Sequence, residues 1–184
     1  MKHYLFPDVY VDTVLDLPLD KIFALGIRAF IVDLDNTITE WNSLDVHEGI
    51  ISWIQSAKDM GFDFCLVSNN NRNRVNIVAE TLQIPFVYKA GKPRRKAVRR
   101  ALEVLQTSPE VTAMIGDQVF TDVLAGNRMN LFTILVVPIN KREFLGTRFM
   151  RKIERFVLKA IVRAVKKGEI NSAIVSNVSD KNQG

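Results

Sequence analysis

Apolar positions along this chain recur with two alternating periods. Short strand-like runs stand at Ala29–Val32, Phe62–Val67, Pro85–Tyr88, Thr112–Ile115 and Phe132–Val137, bounded by Gly, Asn and Pro punctuation. Runs of that length between turn residues predict buried strands. Between the first two, Val46, Ile50, Ile51, Trp53, Ile54, Ala57 and Met60 recur at helical spacing, and Gly61 closes the segment as a C-cap. Val75, Ile77, Val78, Ala79 and Leu82 predict a second helix, Pro93–Leu105 a third that opens on proline, and Phe120–Met129 a fourth. Five strands alternating with helices predict an α/β fold: a parallel sheet of about five strands with helices on both faces.

Composition narrows this picture. The chain has 184 residues, 47% of them hydrophobic and 24% charged, which suits one globular domain with a substantial core. Its one cysteine, Cys65, lies in an apolar run, so it reads as a core thiol in a reducing compartment. Asp8, Asp12 and Asp16 occupy the N-terminal region with no long apolar stretch, so a secretory leader is not expected. No run approaches the roughly 20 apolar residues of a membrane-spanning helix. A cytoplasmic protein is therefore expected, with peripheral contact at the inner membrane face as its one route to lipid. His3 and His47 read as surface residues.

Charge is concentrated in one element. Between Lys141 and Glu169 stand ten basic and three acidic residues, giving +7 in a chain whose total is +5. At about 100° per residue, Leu145, Phe149, Met150, Ile153, Phe156, Val157, Ala160, Ile161 and Ala164 fall on one arc of a helix. Arg148, Arg151, Lys152, Arg155, Lys159, Arg163 and Lys166 fall on the other. Such a basic amphipathic helix either rests on anionic lipid or packs on the core with a solvated basic face. Residues 1–140 thus read as a core, 141–170 as a basic helix packed on or beside it, and 171–184 as a polar tail. A second basic cluster, Lys89, Lys92, Arg94, Arg95, Lys96, Arg99 and Arg100, is either an anion grip or a solvated face.

The candidate chemistry sits at strand ends. Asp33-Leu34-Asp35-Asn36-Thr37 follows the first predicted strand, and the carboxyl ends of such strands are where open α/β sheets bind ligands. Two like charges there are costly unless a cation or a reaction uses them. The second strand ends in Ser68-Asn69-Asn70 before a helix start, which suits an anion. Gly91-Lys92-Pro93 follows the third, and Gly116-Asp117-Gln118-Val119-Phe120-Thr121-Asp122 ends the fourth. If these ends converge, four carboxylates meet a hydroxyl and an ammonium. A hard oxygen-ligated cation, Mg²⁺ first, would neutralise the acids.

The ordered set Asp33-x-Asp35-x-Thr37, Ser68, Lys92 and Gly116-Asp117…Asp122 resembles the four motifs of the haloacid dehalogenase superfamily. The match runs from about Ile31 to Asp122 and implies a Rossmann-like core. The short chain, Asp-Leu-Asp-Asn-Thr, Gly91-Lys92-Pro93 and the basic C-terminal extension look like the YqeG family, itself similar to phosphatidylglycerophosphate phosphatases. This resemblance implies a phosphomonoesterase working through an aspartyl-phosphate. Asp33 would be the nucleophile and Asp35 the acid and base. Ser68, Lys92 and the backbone N–H of Asn69 would hold the phosphoryl oxygens. Mg²⁺ would sit on Asp33, Asp117 and the backbone carbonyl of Asp35, with Asp122 acting through water or orienting the set, and Thr37 bracing the loop.

Neither gap between motifs has room for an inserted cap domain, so an open site is expected, suited to a large or surface-presented substrate. The expected substrate is phosphatidylglycerophosphate at the inner face of a membrane. A sugar phosphate, nucleotide or phosphoprotein is the rival, and an inactive scaffold that binds nucleic acid is the rival of another class. No aromatic-rich basic stripe supports the last, so no nucleic-acid partner is expected.

Overall fold

A computed structural model describes residues 4–140, 156–164 and 167. Six strands form one sheet: β1 (Val9–Val11), β2 (Ala29–Val32), β3 (Asp63–Val67), β4 (Phe86–Val87), β5 (Thr112–Gly116) and β6 (Phe132–Val136). All neighbours run parallel, in the order β1-β6-β5-β2-β3-β4. The sheet is thus one strand wider than expected. Val9-Tyr10-Val11 is a three-residue edge strand, and its pairing is fixed by Asp8, whose carboxylate accepts from the backbone N–H of Thr133 at 2.7 Å.

Helices α1 (Leu19–Ala24), α2 (Glu48–Asp59), α3 (Arg72–Leu82), α4 (Arg95–Leu105) and α5 (Leu124–Asn127) connect the strands. Period-two alternation of the strands sorts their side chains between two layers. Phe30, Val32, Phe64 and Leu66 face Ile22 of α1, Ile50, Trp53 and Ile54 of α2, and Val75 and Val78 of α3. Ile31, Cys65, Val67 and Met114 face Ala97, Val98 and Ala101 of α4 and Ala125 of α5. Both faces are covered, as a parallel sheet requires.

Local chemistry sets where the helices begin. His47 is exposed, as expected, and caps α2, its Nδ1 accepting from the N–H of Gly49 at 3.1 Å. Asn71 caps α3 by accepting from Arg74 N–H. Helix α4 starts two residues after Pro93, with Arg94 at its cap. The segment predicted as a helix over Phe120–Met129 instead begins as a π-turn, Val119–Val123, that runs into α5.

A further helix, α6, covers 156–164. Ile161 and Ala164 are buried against Val119, Val123 and Leu135, with Val157 and Leu158 partly covered. Phe156 and Ala160, placed on the apolar arc by sequence, are exposed. The inward stripe is therefore narrower, at spacings of four and three residues. The rest of the predicted basic helix, with Arg148, Arg151, Lys152, Arg155 and Lys166, lies outside the described residues, as do His3 and the tail from 171.

Candidate active site

β2 and β5 are neighbours at the centre of the sheet, and β3 flanks β2, so three motif-bearing strand ends open on one edge. Asp33 continues β2, its N–H donating to Ile115 O at 2.9 Å. The next residues form a tight turn in which Asn36 takes φ +60° and its N–H reaches Thr39 O at 2.7 Å. Asparagine tolerates that left-handed conformation better than most residues, which accounts for its place after Asp35. Thr37 Oγ1 sits 3.5 Å from Asp33 Oδ2, a long contact that braces the carboxylate weakly.

Lys92 enters from the loop after β4, its ammonium almost wholly enclosed. Its Nζ donates to Asp33 Oδ1, to Asp122 Oδ1 at 2.7 Å and to Val67 O at 3.0 Å. Its backbone N–H is held by the side-chain Oδ1 of Asn69 at 2.9 Å. Asn69, expected to act through its own backbone N–H, thus also has a side-chain part in placing the lysine. Ser68 is buried, and its Oγ accepts from the N–H of Asn70 at 3.1 Å.

Asp117 and Asp122 are buried beside Asp33, with carboxylate oxygens of all three within 4.8 Å of one another. Gly116 makes this possible: a Cβ there would lie 2.3 Å from Asp122 Cγ. Asp122 is engaged at both oxygens, Oδ1 by Lys92 and Oδ2 by the N–H of Gln118 at 3.1 Å.

Charge is unbalanced in this cluster. Burial raises the Asp33 carboxyl to about 7; Lys92 pulls it down, while Asp122 and Asp35 push it up. Burial pulls the Lys92 ammonium down, but the charges of Asp122 and Asp33 more than reverse that and hold it above its ordinary value. Three enclosed carboxylates against one ammonium leave two negative charges over. Hard oxygen donors with that excess fit a divalent cation of the Mg²⁺ kind.

Asp35 stands apart from this cluster at the solvent edge. Its Oδ1 accepts from Arg74 Nη1 at 2.5 Å and from Asn42 N–H at 3.3 Å, while Oδ2 accepts, among the described residues, from Asn70 Nδ2 at 3.4 Å. Arg74 is buried and also donates to Ser43 O at 2.8 Å, tying the loop after the first motif to α3. Sequence reasoning missed this residue. Its signal was position: Arg74 shares the face of Val78 and Leu82, where an arginine needs an acidic partner.

The segment between Asp33 and Ser68 is spent on a loop and α2, and that between Ser68 and Lys92 on α3 and β4. Among the described residues, no folded insertion covers the acids.

The family model for haloacid dehalogenase-like hydrolases matches residues 19–130. The chain belongs to this family. It is 40% identical to "Probable phosphatase YqeG" of Bacillus subtilis (strain 168), over 89% of this chain and 95% of that protein. It is 24% identical to "Phosphatidylglycerophosphate phosphatase 1, chloroplastic/mitochondrial" of Arabidopsis thaliana, spanning 97% of this chain but 54% of the plant protein. Among solved structures, an uncharacterized protein from Listeria monocytogenes serotype 4b superimposes with a TM-score of 0.51 at 14% identity, over 65% of this chain and 86% of its own. One designated a HAD family hydrolase, from Streptomyces avermitilis MA-4680, gives 0.50 at 20% identity, over 61% and 78%. Those two likenesses bear on the haloacid dehalogenase fold alone.

Proposed function

We propose that this haloacid dehalogenase-type phosphatase hydrolyses phosphatidylglycerophosphate to phosphatidylglycerol, with Mg²⁺, at the inner face of a membrane. The observation that carries the chemistry is the division between two carboxylates two residues apart. Asp33 is buried against Lys92, whereas Asp35 sits at the solvent edge in its own ion pair.

Asp33 attacks phosphorus through a carboxylate oxygen, and the ester oxygen leaves as phosphorus bonds to Asp33. Lys92 Nζ, Ser68 Oγ and the Asn69 backbone N–H hold the phosphoryl oxygens as charge builds on them. Asp35 Oδ2, the less firmly held of its two oxygens, gives a proton to the leaving oxygen and then takes one from the water that frees Asp33. Asp33, Asp117 and the backbone carbonyl of Asp35 would hold Mg²⁺, and Asp122, already engaged at both oxygens, would orient the set from behind. When bound, the cation supplies positive charge for the phosphoryl oxygens and offsets the excess negative charge of the acids.

Two observations support a lipid substrate besides the likeness to the plant enzyme. Among the described residues, no insertion between the motifs covers the site. The outer face of α6 exposes Phe156 (76% accessible) together with Lys159, Arg163 and, just beyond the helix, Lys167, a combination suited to an anionic interface. Among the described residues no helix is long and apolar enough to cross a membrane, so the contact proposed is peripheral. The test is phosphate release from a panel containing phosphatidylglycerophosphate in mixed micelles, sugar phosphates, nucleotides and a phosphopeptide, with Mg²⁺ or with EDTA. Fastest turnover of the lipid, abolished by EDTA, is expected. Faster turnover of a soluble member would overturn the lipid assignment, and activity in EDTA would overturn the metal.

A further inference from the structure

A cleft of about 630 Å³ opens beside Asp35, between the loop after the first motif, the start of α3 and the end of β4. Its polar lining consists of Asn42, Asn71, Arg72, Asn73, Arg74 and Lys89, with no carboxylate among the lining residues. Two of these touch the proposed acid directly. Asn42 donates its N–H, and Arg74 its Nη1, to Asp35 Oδ1. The cleft therefore adjoins the side on which an alcohol would depart.

Its charge is in excess of what the site needs. Arg74 is matched by Asp35, yet its Nε–H is buried with no hydrogen-bond partner among the described residues. The Arg72 guanidinium lies 5.9 Å from the centroid of the Tyr88 ring, which lines the same cleft and favours a steady position for the cation. Lys89 stands opposite, its N–H donating to Asn70 O at 3.0 Å, so the residue that carries Asn70 Nδ2 to Asp35 also anchors this wall. Two exposed cations flanked by amides and an aromatic ring, next to a catalytic acid, suit an anion borne by the substrate itself.

We propose that this cleft binds a second anionic group on the alcohol portion of the phosphomonoester, making Arg72 and Lys89 specificity-determining residues. The inference rests on the phosphatase reading above, with Asp35 facing the leaving oxygen. The second anion is either a phosphodiester, as in a phospholipid headgroup, or a second phosphomonoester, as in a soluble bisphosphate. Both share a tetrahedral phosphorus with charged oxygens at a short distance from the scissile bond.

The experiment compares kcat/KM at low salt for four soluble probes: p-nitrophenyl phosphate, glycerol 3-phosphate, propane-1,3-diol bisphosphate and the deacylated headgroup glycerophosphoglycerol phosphate. The two doubly anionic probes are expected to exceed glycerol 3-phosphate by about tenfold or more, as charge-assisted contacts imply. The Arg72→Ala/Lys89→Ala double variant should reduce that ratio to within about twofold, mainly through KM, and Arg72→Lys should restore part of it. Preference for the phosphodiester over the bisphosphate identifies a lipid headgroup as the source, and the reverse identifies a soluble one. Turnover with no preference for the doubly anionic probes, or a preference that survives in the double variant, overturns the subsite alone. Absence of turnover of all four probes with Mg²⁺ overturns the phosphatase reading and the subsite together.

Discussion

Phe30 and Asp33 lie three residues apart on one central strand and its continuation, and both are buried, yet opposite forces hold them. Phe30 is fully enclosed, stacked on Phe62 at a centroid distance of 4.7 Å, with Phe64 at 5.3 Å and Trp53 at 6.1 Å. Removing such a ring from water favours folding by roughly 1.5–3 kcal/mol, and aromatic pairing adds to it. Asp33 is enclosed among charges. Lys92 satisfies one oxygen, but Asp122 and Asp117 crowd the same space. An enclosed, like-charged group costs stability, and burial raises its pKa to about 7 in response. The strand thus gains stability at its middle and holds reactive charge at its end. The sheet tolerates the second because it is secured by the first.

The largest effect expected is on chemistry alone. Asp33→Asn removes the charge of the proposed attacking oxygen and keeps the side chain's shape, so turnover should fall at least about a thousandfold. Folding should not suffer in proportion. The neutral amide removes a charge that burial disfavours, and Lys92 retains Asp122 and Val67 O as acceptors. A thermal midpoint within a few degrees of wild type should accompany the lost activity. A midpoint that collapses would show that the ion cluster is part of the scaffold and not a load upon it.

The complementary test is Phe30→Ala. Truncating a fully buried phenylalanine typically costs about 3–5 kcal/mol through lost transfer energy and a cavity. In a protein of this size that lowers Tm by roughly 10 °C. Activity per folded molecule, measured well below the new midpoint, should stay within a few-fold, because the ring contacts helices and strands and not the acids. A loss of activity on the scale of Asp33→Asn would mean that the two ends of β2 are not energetically separate.

The same contrast sets how much was legible in the sequence. Strand ends carrying Asp33, Ser68 and Asp117 could be read because a parallel strand is an apolar run and its polar sequel stands out against it. The edge strand Val9–Val11 could not, since three residues between Asp8 and Asp12 give no period, and its place is fixed by side-chain bonds from Asp8 to Thr133. Helix α1 was missed for a similar reason: Leu19, Ile22 and Phe23 turn to the core, but six residues are under two turns, too short for a periodic stripe to stand out. Arg74 was hidden by its type, because an arginine near a helix start ordinarily faces water. The depth of Asp122 was also not legible. It depends on the π-turn at Val119–Val123 and on the missing Cβ of Gly116, both consequences of three-dimensional packing.

Helix α6 allows the comparison to be repeated across the thickness of one element, with the smallest effect. Its inner residues Ile161 and Ala164 pack on Val119, Val123 and Leu135, so this side is held by burial against the turn that carries Asp122. Its outer residues Lys159 and Arg163 are exposed, beside the exposed ring of Phe156. Each basic residue near an anionic bilayer contributes about 1 kcal/mol of attraction, which falls off within a Debye length. Lys159→Glu/Arg163→Glu reverses two such charges without touching the packed stripe, so fold and Tm should be preserved. Binding to vesicles containing anionic phospholipid should weaken severalfold at low salt, and hydrolysis of phosphatidylglycerophosphate in those vesicles should slow to match. Hydrolysis of p-nitrophenyl phosphate, which reaches the site by diffusion without an interface, should be spared. Equal slowing of both substrates would show that α6 acts through the Asp122 turn. Wild-type protein that ignores the vesicles would remove the helix from the membrane account and leave the basic face as solvated surface.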